Sequence, residues 1–147
     1  MPVIARRAVL IALLGCAACH ADALADISDL LGDMAAALAD NNPAGFMKGF
    51  SRTMPDYDKL RDSVTALAQQ AELTSSIEPI KNEGDDTKHS VDFDWLLQIK
   101  SRVGDSGPAI RREQVIHCEL VKEKKHWRIV SLAPLDFFAP AKLTESK

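Results

Sequence analysis

The feature that most constrains this chain is the alternation of apolar and polar residues between His89 and Leu132, a two-residue period that only β-strands accommodate. It runs through three segments, Val91 to Ser101, Arg111 to Glu123 and His126 to Ala133, and predicts three antiparallel strands. In the first, Val91, Phe93, Trp95, Leu97 and Ile99 share one face while Asp92, Asp94, Gln98 and Lys100 share the other. Residues 104–108 make the first turn. Lys124-Lys125 makes a tight second one, without the Gly or Asn such turns favour.

A one-residue slip would move every apolar side chain to the wrong face, so the alternation also restricts register. Pairing Trp95 with Ile116, Phe93 with Cys118 and Leu120 with Ile129 places these residues inside with Val91, Leu97, Ile99 and Trp127. The outer face is mixed: Asp92, Asp94, His117, Glu119 and Arg128 among Leu96, Val115, Val121, Val130 and Leu132.

Ahead of this region the spacing is helical. Ile27, Leu30, Leu31, Met34, Ala35 and Leu38 form one stripe, with Asp26 as the expected N-cap. Asn41 and Asn42 stop this helix, and Pro43 opens a short one carrying Phe46, Met47 and Phe50. A third runs from near Pro55 to about Gln70, with Tyr57, Leu60, Val64, Leu67, Ala68 and Ala71 on one side. Leu73 to Lys81 reads as a further strand that Pro79 confines to an edge or a bulge. The three helices need a surface to cover, and the apolar sheet face supplies it.

Residues 1–23 read as an export signal. Arg6 and Arg7 precede the apolar run Ala8 to Leu14, which is too short for a spanning helix of about 20 residues. Two processing sites compete: Leu13-Leu14-Gly15-Cys16 resembles a lipobox, with residues 1–15 removed and Cys16 lipidated, and Ala21-Asp22-Ala23 fits small-residue cleavage. Cys16-Ala17-Ala18-Cys19-His20 also has haem c attachment spacing, but it abuts the signal and a strand-rich sequence follows, so processing is the favoured reading. No cofactor is expected.

The remaining residues suffice for one domain, 24–140, with 141–147 as a flexible tail and fraying expected after Phe138. Losing Arg6 and Arg7 with the signal takes the net charge from −3 to −5, and losing Asp22 as well takes it to −4. Such an acidic chain is a poor partner for nucleic acid, whose phosphates attract clustered Lys and Arg. Contact with a membrane is expected only through a lipid on Cys16. Cys118 is the one cysteine certain to survive processing, so no disulfide framework is available.

The order helix, short helix, helix, antiparallel sheet resembles the nuclear transport factor 2-like superfamily over about Leu24 to Pro140. Asn42-Pro43-Ala44-Gly45-Phe46 and Trp127-Arg128-Ile129 with Leu132 carry the resemblance. It implies an α+β fold in which N-terminal helices pack on a curved antiparallel sheet, forming a cone. Family members use the hollow as an active site or a binding pocket, and many dimerise through the outer sheet face.

Enzymes of this shape transfer protons with Asp, His or Tyr inside the cone. The inner face that alternation assigns has only Gln114, Cys118 and Ser131 as polar members, so no catalytic residue is assigned. Tyr57 reads as core or rim, and Cys118, among apolar neighbours, as a small hydrophobe. His117 and Glu119, opposite Asp92 and Asp94, form a ligand inventory for zinc, but such pairs are ordinary on a solvated sheet and no metal is assigned. Asp85, Asp86 and His89 read as a solvated loop.

The sequence thus predicts an exported domain, periplasmic or anchored to the envelope, whose hollow binds a small apolar ligand or is filled by side chains. Phe46, Tyr57, Phe93, Trp95, Cys118 and Trp127 are the expected lining. A homodimer through the outer face would cover Leu96, Val115, Val121, Val130 and Leu132. The alternatives are a dehydratase, isomerase or cyclase-like enzyme and an envelope interaction module.

Overall fold

The computed structural model describes residues 22–102 and 109–141; Cys16 and its lipobox, the turn at 104–108 and residues 142–147 lie outside them. Helix α1 covers residues 22–39, α2 Pro43–Met47 and α3 Tyr57–Gln70. Strands β1 (Ala71–Gly84), β2 (Lys88–Ser101), β3 (Ile110–Glu123) and β4 (His126–Ala133) follow, and a 3-10 turn, Leu135–Phe138, closes the described chain. The strands form one antiparallel sheet in the order β1-β2-β3-β4, with the helices on its apolar face.

Local chemistry explains most boundaries. α1 buries Ile27, Leu31, Met34, Ala35 and Leu38, the expected stripe. Its helical conformation already includes residues ahead of Asp26, which is an exposed interior residue and not the N-cap. Asn41 ends the helix at φ 60°, a left-handed conformation that Asn tolerates. Asn42 then caps α2, its Oδ1 accepting from the Gly45 N–H at 3.0 Å, with Pro43 in the first turn.

The strands occupy the expected segments with two changes. In the β2–β3 pair, Trp95 faces Gln114, Phe93 faces Ile116 and Val91 faces Cys118, two residues from the register expected. A shift of two preserves the faces, so Val91, Phe93, Trp95, Leu97, Ile99, Ile116, Cys118 and Leu120 are all buried. The second change is a bulge between Glu119 and Leu120 in the β3–β4 pair. Leu120 faces Ile129 as expected, but Cys118 then faces Leu132 and Glu119 faces Ser131. The extra β4 residue exchanges the two sides locally: Leu132 is buried at 6% exposure, and Ser131 is exposed.

Strand β1 is longer than expected and lies at the sheet edge, with its own irregularity between Pro79 and Lys81. Proline lacks the ladder donor, which accounts for both its edge position and the bulge. β4 does not leave its outer edge bare. Residues 49–51 run alongside it, the Ser51 N–H donating to the Ile129 carbonyl and the Ile129 N–H to the Gly49 carbonyl, each at 2.8 Å. A Cβ on Gly49 would meet the Met34 Sδ, so the glycine lets this segment lie close against α1.

The chain end is also anchored beyond Phe138. The Arg112 guanidinium donates to the Phe137 and Ala139 carbonyls at 2.7 Å each. Ala141 is 8% exposed; its N–H reaches Gln70 Oε1 at 2.6 Å and its carbonyl accepts from Gln70 Nε2 at 3.1 Å. The fraying expected after Phe138 is therefore corrected for residues 139–141.

Candidate functional site

The interior of the cone is filled. Phe138 stacks edge-on to Trp95 with ring centroids 5.0 Å apart, touches Phe46 at 5.2 Å, and is joined by Phe137 at 5.1 Å. Phe93 lies 5.3 Å from Trp95, whose indole N–H donates to Ser75 Oγ at 2.7 Å. Four of the residues expected to line a hollow, Phe46, Phe93, Trp95 and Cys118, are at 0% exposure in this core. Burial pushes the Cys118 thiol up, far from nucleophilic thiolate. Trp127 is buried against His89, ring centroids 5.2 Å apart. Of the expected lining, Tyr57 alone reaches the cleft described next.

That cleft, about 730 Å³, opens at the edge of the cone. α2 contributes Pro43, Ala44 and Met47, and the following segment Lys48, Phe50, Ser51, Arg52 and Thr53. Tyr57, Arg61 and Thr65, one face of α3 at four-residue spacing, form a second wall. Glu123 and Arg128 close it from the β3–β4 hairpin. Sequence reasoning assigns none of these charged residues to a site, because they come together only when residues 49–51 join β4.

Ser51 fixes the floor. It is 2% exposed, donates to Glu123 Oε2 at 2.8 Å, and shares a hydrogen bond of 2.9 Å with Thr53 Oγ1. Arg61 pairs with Asp58 at 3.2 Å and Asp62 at 3.4 Å, whereas Lys48 and Arg52 have no carboxylate partner among the described residues. The single carboxylate of the lining, Glu123, is thus engaged by a hydroxyl.

The outer face carries a second polar cluster. His117 Nδ1 meets Asp92 Oδ1 at 2.5 Å and its Nε2 meets Glu119 Oε2 at 2.6 Å, while Ser90 Oγ donates to the same Glu119 oxygen at 2.9 Å. Hydrogen bonding to Asp92, then to Glu119, raises the imidazole's pKa and favours imidazolium, the form in which both nitrogens donate. Alongside it, a hydrogen bond shared with Glu113 raises the Asp94 carboxyl, and hydrogen bonds with Arg111 and Asp94 lower Glu113. Among the described residues no group of three or more His, Cys, Asp or Glu side chains is placed to hold a metal ion. With Leu132 turned inward, the outer apolar patch reduces to Val115, 53% exposed, and the half-buried Leu96, Val121 and Val130.

His89 does not sit in a solvated loop. It lies in β2, opposite the inward Leu120, and is 4% exposed, with Nδ1 at 2.6 Å from Asn82 Oδ1. Asp85 does form the turn, accepting from the Thr87 and Lys88 N–H groups at 2.9 Å each, which holds its carboxyl below the usual range.

No family model matches the chain, and no curated protein does. Solved structures do. A scytalone dehydratase-like protein from Novosphingobium aromaticivorans superposes with a TM-score of 0.71 at 12% identity, covering 79% of this chain and 85% of that one. A hexachlorocyclohexane dehydrochlorinase (LinA type 2) gives 0.61 at 15% identity over 78% and 84%. A nuclear transport factor 2-like superfamily protein from Salmonella enterica serovar Typhimurium gives 0.59 at 15% over 82% and 93%. The fold is thus nuclear transport factor 2-like, helices packed on a four-stranded antiparallel sheet.

Proposed function

We propose that the protein is an exported, non-catalytic small-molecule-binding domain whose ligand sits in the cleft between α2, α3 and the β3–β4 hairpin. The observation that carries this reading is the contrast between a filled aromatic interior and an open cleft of about 730 Å³, within the size range of small-molecule sites. Export, with a lipid on Cys16, belongs to the same proposal. Its support is the basic and apolar order of residues 6–14 and the Leu13-Leu14-Gly15-Cys16 run.

Mapping small aromatic fragments by two-dimensional NMR tests the binding reading. Shifts confined to Met47, Phe50, Tyr57 and Thr65, with the Trp95 indole N–H unmoved, are expected. Shifts at Trp95 with the cleft unmoved would defeat it. An intact mass of the envelope-extracted protein gives the lipidation answer, with Cys16→Ser as the unmodified control.

A dehydratase, isomerase or cyclase-like enzyme is the second reading. His89, an imidazole on the buried face of the sheet, is the observation in its favour. An elimination activity lost in His89→Gln, in a variant that still folds, would establish it over the binding reading.

A further inference from the structure

We infer that the cleft selects a small organic anion, a carboxylate or phosphate head on a flat apolar body. This rests on the proposed cleft-binding function and specifies its ligand class.

The first ground is charge segregation. The chain as a whole is acidic, with a net charge of −3, yet the cleft lining carries Lys48, Arg52, Arg61 and Arg128 against the single carboxylate of Glu123. These cations come from the α2–α3 segment, α3 and β4, so no single helix face accounts for them. Charges of one sign gathered around a cleft raise the local concentration of ligands of the opposite sign.

The second ground is how that charge is partnered. Asp58 and Asp62 offset Arg61, but Lys48 and Arg52 have no carboxylate partner among the described residues. Residues 49–51 between them are bound to β4, which holds both bases at the cleft edge. Glu123, the one carboxylate of the lining, has Oε2 taken up by the Ser51 hydroxyl at 2.8 Å.

The third ground is the apolar surface beside the charges. Met47 and Phe50 back the wall from the core, and the apolar surface that stays open beside the charges comes from Pro43, Ala44 and the half-buried Tyr57. A bare inorganic anion would leave that surface uncovered, and an uncharged ring would leave the bases unpaired. A ring or short chain ending in an anionic head meets both requirements.

The test is an NMR titration with three probes of one shape: benzoate, benzyl alcohol and benzylamine. Benzoate is expected to shift Met47, Tyr57 and Thr65 with an affinity roughly tenfold above benzyl alcohol, to weaken as salt is raised, and to bind more tightly than benzylamine. The double variant Lys48→Gln/Arg52→Gln, both sites exposed and so compatible with folding, is expected to remove most of the preference for benzoate over benzyl alcohol. If the three probes bind the cleft equally, or benzylamine binds best, the anion inference fails and the cleft-binding reading stands. If none shifts a cleft residue, both fail.

Discussion

Lys125 adopts φ 123° and Lys124 φ 57° in the turn between β3 and β4. Two-residue hairpin turns require positive φ at such positions, which is why Asn-Gly is favoured there and a lysine costs about 1–2 kcal/mol. Lys125→Gly should therefore raise the unfolding free energy by about 1 kcal/mol, measured by urea denaturation, despite the greater freedom glycine gives the unfolded chain. A loss of stability would show that the turn carries no strain. Gly84 is the opposite case. At φ 156°, a Cβ would collide with the Lys88 carbonyl oxygen, so Gly84→Ala should lower stability by about 2–4 kcal/mol in the same experiment. At this scale the position of the Lys124-Lys125 turn was legible from its polarity between two alternating runs. Its strain was not, because backbone dihedrals follow from the twist of the paired strands.

At the scale of elements, the β3–β4 bulge decides which side chains face inward. Alternation alone places Leu132 outside and Ser131 inside, and the bulge reverses both. No glycine or proline marks it in β4, so nothing local announces the extra residue. Leu132→Asp should then cost about 3–5 kcal/mol, since it buries a carboxylate beside Cys118, while Val130→Asp on the outer side should cost under about 1.5 kcal/mol. Equal effects in thermal unfolding would contradict the bulged register. The outer face has its own signature in pH. The His117 pKa is raised in the folded state by Asp92 and Glu119, so its contribution is fully present below the unfolded value of about 6.5 and is lost as pH rises through the folded one. The side chain is 47% exposed and screened by solvent, which limits the effect to roughly 0.5 kcal/mol. Comparing wild type with His117→Gln at pH 6 and pH 9 by urea denaturation should show the difference at the lower pH only.

For the whole molecule, the layered arrangement of helices on a sheet was legible because the helical and strand periods occupy separate halves of the chain. The site was less so. Aromatic residues such as Phe46, Phe93 and Trp95 suit a pocket wall and a core equally, and Phe137 and Phe138 turn them into core by filling the space between them. The cleft residues are dispersed from Pro43 to Arg128 and meet only through the pairing of residues 49–51 with β4. Phe138→Ala should cost about 3–5 kcal/mol by removing this internal packing, without creating the ligand preference of the cleft.

The most direct test of a filled interior with a ligand in the cleft is native mass spectrometry of the purified protein, comparing wild type with Ala44→Trp, which fills the cleft from an exposed position on α2, and with Phe138→Ala. A small-molecule adduct is expected on wild type, persisting in Phe138→Ala and disappearing in Ala44→Trp. An adduct that survives in Ala44→Trp, or a wild-type chain that carries none, would contradict a ligand held in the cleft.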